Sequence, residues 1–181
     1  ALAEARVAQA CALLMLGNAI AAQGELDRAQ ALGAPLGKMR HLRANAALLT
    51  GRPEDAVKEA RAPDDDPKEA LFLTRIEAQA LQAQEKYGEA WQAFARALAI
   101  APRDSALWAD IGRFRIATGD MAAAIDATGR AVALAPGSVD ALTLRALMMR
   151  EQYGPVASAA AFDEVLKRNK DYVPALVEHA A

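Results

Sequence analysis

The chain has 181 residues, of which 54% are hydrophobic and 24% charged, and its formal net charge is -2. That balance argues against a disordered chain, and the absence of a basic excess argues against nucleic acid as a partner. The apolar share is rich in Ala and poor in aromatic and β-branched residues, which favours an all-α fold with closely approaching helices.

Apolar periodicity, caps and breakers place helices at 3–22, 25–32, 37–50, 53–61, 68–84, 87–100, 105–117, 120–134, 139–152, 155–168 and 172–180, with no strands. The first contains a nearly continuous apolar run from Ala10 to Ala22, with Leu13, Leu14, Met15, Leu16 and Ile20. It is shorter than the ~20 residues that a membrane span needs, so no membrane insertion is expected. Ala19-Ile20-Ala21 imitates a signal-peptidase site, but Glu4 and Arg6 precede the run where a basic segment would stand. The single Cys11 leaves no partner for an intramolecular disulfide and reads as a small buried residue on a helix.

Gly33-Ala34-Pro35-Leu36-Gly37-Lys38 imitates a phosphate loop, one residue short and with Met39 where Ser or Thr belongs. It reads as a turn between helices. Asp64-Asp65-Asp66 lies in a Pro-flanked loop from Ala62 to Pro67 and lacks the Gly and closing Glu of a calcium loop. His41 and His179 are too few for a metal cluster. No nucleophile, metal or paired-carboxylate motif is present, so no cofactor and no enzymatic role are expected.

The strongest signal is a 34-residue period. Ala97-Leu98-Ala99-Ile100-Ala101-Pro102 recurs as Ala131-Val132-Ala133-Leu134-Ala135-Pro136. Small residues recur at Ala78, Gly112 and Ala146 and at Ala90, Ala124 and Ser158, and Phe94 and Phe162 lie two periods apart. In one copy the pattern is Trp108, Ile111-Gly112, Gly119, Ala124, Thr128, Ala131 and Pro136. The preceding copy keeps Tyr87, Ala90, Phe94, Ala97, Leu98 and Pro102 but has Glu77-Ala78 in place of Leu-Gly. This pattern resembles the tetratricopeptide repeat family, a helix-turn-helix of 34 residues. Upstream, Leu16-Gly17, Gly24, Leu26 and Ala29 open one copy, and Gly51 and Ala56 anchor another, with a shortened interval. Gly112 is expected to face Ala124 at the close crossing of its helix pair, and Trp108, Phe94 and Phe162 to fill the gaps between units.

The resemblance implies a right-handed α-solenoid of about five antiparallel helix pairs, a single array over 1–181. Its units fall at about 10–36, 37–70, 71–104, 105–138 and 139–172, with a further or capping helix from 173. It also implies a non-enzymatic scaffold that holds an extended or helical peptide against its helix A faces. The alternative is a recognition region of a larger enzyme, such as a transferase. The family's carboxylate clamp is not met, because Leu14 and His41 precede Asn18 and Asn45 where Lys is required.

Helical spacing along each helix A gives the candidate peptide-binding residues Lys38, His41 and Asn45, then Arg75, Gln79 and Gln82, then Arg113 and Arg150. Amides suit a peptide backbone, and Arg suits a carboxylate, so the expected partner segment is acidic or ends in a carboxylate. Tyr172, Val173 and Leu176 open a further helix A, so the chain is expected to be a piece of a longer array or to self-associate through that end.

Overall fold

The computed structural model describes residues 1–62 and 67–179. The loop Asp64-Asp65-Asp66 and the side chain of His179 lie outside the described residues. The chain divides into two compact units, Ala1–Ile100 and Ala101–Ala181. Among the described residues every regular element is helical.

The first unit holds three helix pairs. These are α1 (Leu2–Met15) with α2 (Ala19–Ala31), α3 (Arg40–Leu49) with α4 (Pro53–Arg61), and α5 (Pro67–Ala83) with α6 (Tyr87–Ile100). A 3-10 turn, Gly37–Met39, leads into α3. The second unit pairs α7 (Ser105–Ala117) with α8 (Met121–Leu134) and α9 (Val139–Tyr153) with α10 (Pro155–Arg168), and ends in α11 (Val173–His179). Five helix pairs and a terminal helix therefore form, as the repeat pattern implies.

The turn inside each of the first four pairs is the same object repeated. After α1 the Gly17 amide donates to the Leu14 carbonyl at 3.0 Å and the Asn18 amide to that of Leu13 at 2.8 Å. After α7 the Gly119 amide donates to Ile116 at 3.0 Å and the Asp120 amide to Arg115 at 2.9 Å. This double bond closes a helix with a left-handed residue after its end. The left-handed residues are Gly17, Gly51, Glu85 and Gly119, spaced by 34, with φ of 76°, 71°, 59° and 76°. The fifth falls one residue late, at Gly154, and α9 is correspondingly longer. In the first and fourth pairs the following side chain then caps the next helix: Asn18 Oδ1 accepts from the Ala21 amide and Asp120 Oδ1 from that of Ala123, both at 3.2 Å.

This corrects the first pair. The expected helix over 3–22 is broken at Leu16-Gly17-Asn18, and Gly24 lies inside α2 rather than in a turn. The apolar run continues through the break because Leu16 and Ile20 stay exposed on either side of it. The spacing of the first two pairs is therefore regular, with Gly17 and Gly51 in register.

Burial follows the repeat. Ala10, Ala22, Leu26, Met39 and Leu42 form one cluster, and Ala44, Ala56, Leu73, Ile76 and Ala80 another, both in the first unit. In the second unit Leu142, Phe162 and Val165 form one cluster, while Ala131 of α8 meets Ala141 and Leu144 of α9 in another. Small residues at these crossings let the backbones approach.

Gly112 does not chiefly face Ala124. A Cβ there would lie 2.8 Å from Thr128 Oγ1 and 3.0 Å from Leu144 Cδ2, so the crossing is set by Thr128 and by the following helix A. Phe94 and Phe162 are buried as expected, but Trp108 is only half-buried. Its Nε1 donates to the Pro102 carbonyl at 2.8 Å, and the Arg130 guanidinium stacks 4.7 Å over its ring. Trp91, in α6 of the first unit, is partly exposed.

Candidate functional site

In the first unit the candidate residues divide between α3 and α5. Asn45 and Gln79 hold the same place one period apart, as do His41 and Arg75. Asn45, Gln79 and Gln82 are half-buried, and their amides make no hydrogen bond among the described residues. Arg75 is half-buried and already carries an interaction within the chain. Lys38 is exposed on the 3-10 turn and makes no ion pair among the described residues.

His41 connects the two helices. Its Nδ1 lies 2.9 Å from Glu69 Oε2, at ion-pair distance but without hydrogen-bond alignment. Its ring meets that of Phe72 edge-on, with centroids 6.1 Å apart. Beside it, α1, the loop before α3 and α3 itself enclose a cleft of about 450 Å³. Val7, Ala8, Cys11, Ala34, Pro35 and Leu42 form its walls, with Lys38, His41 and Glu4 at the rim. Cys11 is thus exposed in a cleft wall, not buried as its type suggested.

In the second unit the arginines are engaged by the chain's own acids. Arg113 pairs with Asp110 at 3.2 Å and with Asp140, and Arg150 pairs with Glu178 of α11. An acidic ligand at either guanidinium has to displace a resident carboxylate. Arg150 and Glu151 join Ile116, Met121, Leu144, Leu147 and Met148 in lining a cleft of about 210 Å³. The helix A face of this unit is therefore more apolar and its cations less available than the residue types implied.

Sequence reasoning also missed the ion pairs inside the helix pairs. Buried Glu25 binds Arg6 at 2.8 Å and also Arg28. Burial pushes its pKa up, but the hydrogen bonds and charges of Arg6 and Arg28 outweigh that and hold it below the usual carboxylate range. Arg43 reaches Asp27 at 3.2 Å and Glu59 at 3.1 Å, and buried Glu77 reaches Arg61 at 2.7 Å and Arg96 at 2.6 Å. These groups tie helices together, and Arg43 and Glu59 also line a cleft of about 180 Å³ with Gln23, Arg52 and Lys58. Among the described residues no group of three His, Cys, Asp or Glu is placed to hold a metal ion, and no helix is long and apolar enough to cross a membrane.

The tetratricopeptide repeat profile matches residues 81–148. No curated protein matches the sequence. By structure the chain is similar to a thermophilic TPR protein of Thermus thermophilus, with 16% identity, a TM-score of 0.85, and coverage of 98% of this chain and 97% of that one. It is also similar to YrrB, a TPR protein with an unusual peptide-binding site, at 16% identity and a TM-score of 0.59, over 97% of this chain and 91% of that one. A third similar structure is the TPR2AB domain of yeast Sti1 in complex with pHSP90, at 13% identity and a TM-score of 0.52, over 98% and 82% of the two chains. At these identities the likeness is one of fold.

Proposed function

Since this chain carries tetratricopeptide repeats, we propose that it is a non-enzymatic protein-interaction scaffold that binds a peptide segment on the helix A faces of its first unit. The observation that carries this reading is the row of half-buried amides Asn45, Gln79 and Gln82, which spend no hydrogen bond among the described residues. These amides reach solvent with their bonding capacity unspent, and an extended backbone supplies both donors and acceptors for them. Lys38 and His41 border the row, and Arg75 stands within it, which favours a segment with acidic residues. Arg113 and Arg150 join such a surface only where a ligand carboxylate replaces Asp140 or Glu178.

Affinity capture with the wild-type chain and with an Asn45→Ala/Gln79→Ala/Gln82→Ala variant tests this. A specific protein partner is expected for the wild type and lost for the variant, while thermal melting stays unchanged. Capture of the same proteins by both would refute the reading.

A further inference from the structure

The two helix A junctions of the first unit are built on the same plan, but only one of them carries a Phe. Lys38 holds the place that Phe72 holds one 34-residue period later, and Val7 holds the place of His41. In the junction of α3 with α5, the Phe72 ring meets His41 edge-on with an interplanar angle of 83°. In the junction of α1 with α3 the period-mates of that pair, Val7 and Lys38, carry no ring, and His41 lines the junction from one side. A cleft of about 450 Å³ lies open there, with Ala1, Val7, Ala8, Cys11 and Leu42 in its lining.

We infer that this cleft receives an aromatic side chain from a partner polypeptide, with an adjacent acidic residue of that segment seated on Lys38. The inference deepens the peptide-binding reading above and rests on it. Three features fit such an occupant. The lining is largely apolar, and the open cleft has room for a ring together with a flanking residue of the segment. The Cys11 sulfur stands in the wall, and sulfur makes favourable contacts with ring edges. The Lys38 ammonium has no acid of its own among the described residues, so it offers a cation to an acid beside the cleft.

The period-matched substitution Lys38→Phe tests this, because it places in the cleft the ring that Phe72 places in the next junction. A displayed library of random dodecapeptides is selected on the wild-type chain. The expected binders carry Phe, Tyr or Trp beside Asp or Glu. A synthetic copy of the best binder is expected to slow alkylation of Cys11, the chain's single thiol, by about tenfold at saturation. Its affinity is expected to fall at least about tenfold on Lys38→Phe, on Lys38→Glu, and on replacing its own ring by Ala. Lys38 is exposed, so these variants keep the fold, which circular dichroism checks. If the selected peptides bind Lys38→Phe as tightly as wild type and leave Cys11 reacting at its free rate, the cleft inference is overturned while the scaffold reading stands. A library that yields no binder overturns both.

Discussion

Arg43 and Glu77 occupy the same position in consecutive repeats and carry opposite charges, yet each performs the same task. Arg43 binds Asp27 of α2 and Glu59 of α4, and Glu77 binds Arg61 of α4 and Arg96 of α6. Each joins its own helix B to the preceding one. The Glu77 and Glu89 carboxylates in turn raise the Arg61 pKa above its already high ordinary value.

Glu77 is nearly fully buried, while its two guanidinium partners are about half exposed, at 49% and 54%. Glu77→Gln is therefore expected to cost about 1–3 kcal/mol, less than a fully buried pair would, because the freed arginines turn to water. Glu77→Leu is expected to cost less than Glu77→Gln, since an apolar side chain avoids a buried amide with one side unpaired. Urea denaturation of the two variants compares them, and equal losses would contradict the argument.

Glu25 gives a pH signature. Its folded pKa is depressed, so its contribution to stability is fully present above the ordinary carboxylate value, near ~4.3, and is lost as pH falls through the folded value. Stability measured below pH ~5 is expected to fall more steeply for the wild type than for Glu25→Gln. Parallel curves for the two proteins would show that Arg6 and Arg28 do not bias the carboxyl.

The left-handed turn position offers a matched pair of substitutions. Glu85 adopts φ 59° with a side chain that disfavours it, and Gly119 adopts φ 76° with open space around a would-be Cβ. Gly119→Ala is expected to lower stability by about 1 kcal/mol through backbone strain alone, and Glu85→Gly to raise it by up to about that amount, less the added freedom of the unfolded chain. Thermal melts of both variants check the opposite signs.

At the crossing of α7 with α8, Gly112→Ala is expected to destabilise by about 1–3 kcal/mol, because its Cβ would sit 2.8 Å from Thr128 Oγ1. Thr128→Ala removes that atom, so the Gly112→Ala/Thr128→Ala double variant is expected to cost less than the sum of the singles. Strict additivity would mean that Leu144, not Thr128, sets the limit.

The repeat was legible where punctuation was strong. Pro102, Gly119 with Asp120, and Pro136 mark turns by residue type alone, and the helices there fall where the periodicity puts them. The first pair was misread because Leu16-Gly17 fits the interior of a helix A and Gly24 fits a turn, while the deciding residue, Asn18, is a cap only if the chain turns at Gly17. At the candidate site, side-chain type located the amides but not the state of the cations. Whether Arg113 is available depends on Asp140, 27 residues away, and on the rotation of two helices that periodicity alone does not fix. Cys11 differs for a related reason: residue type reports average burial, whereas this residue lines an open cleft between α1 and α3.

The placement of the two tryptophans has a practical result. Trp91 belongs to the first unit and Trp108 to the second, where a guanidinium stacks on its indole. Each half of the molecule thus contains one intrinsic fluorophore. Trp91→Phe leaves emission from the second half alone, and Trp108→Phe leaves the first. Melting curves of the two single-tryptophan chains, overlaid, report directly whether the halves unfold together or one before the other.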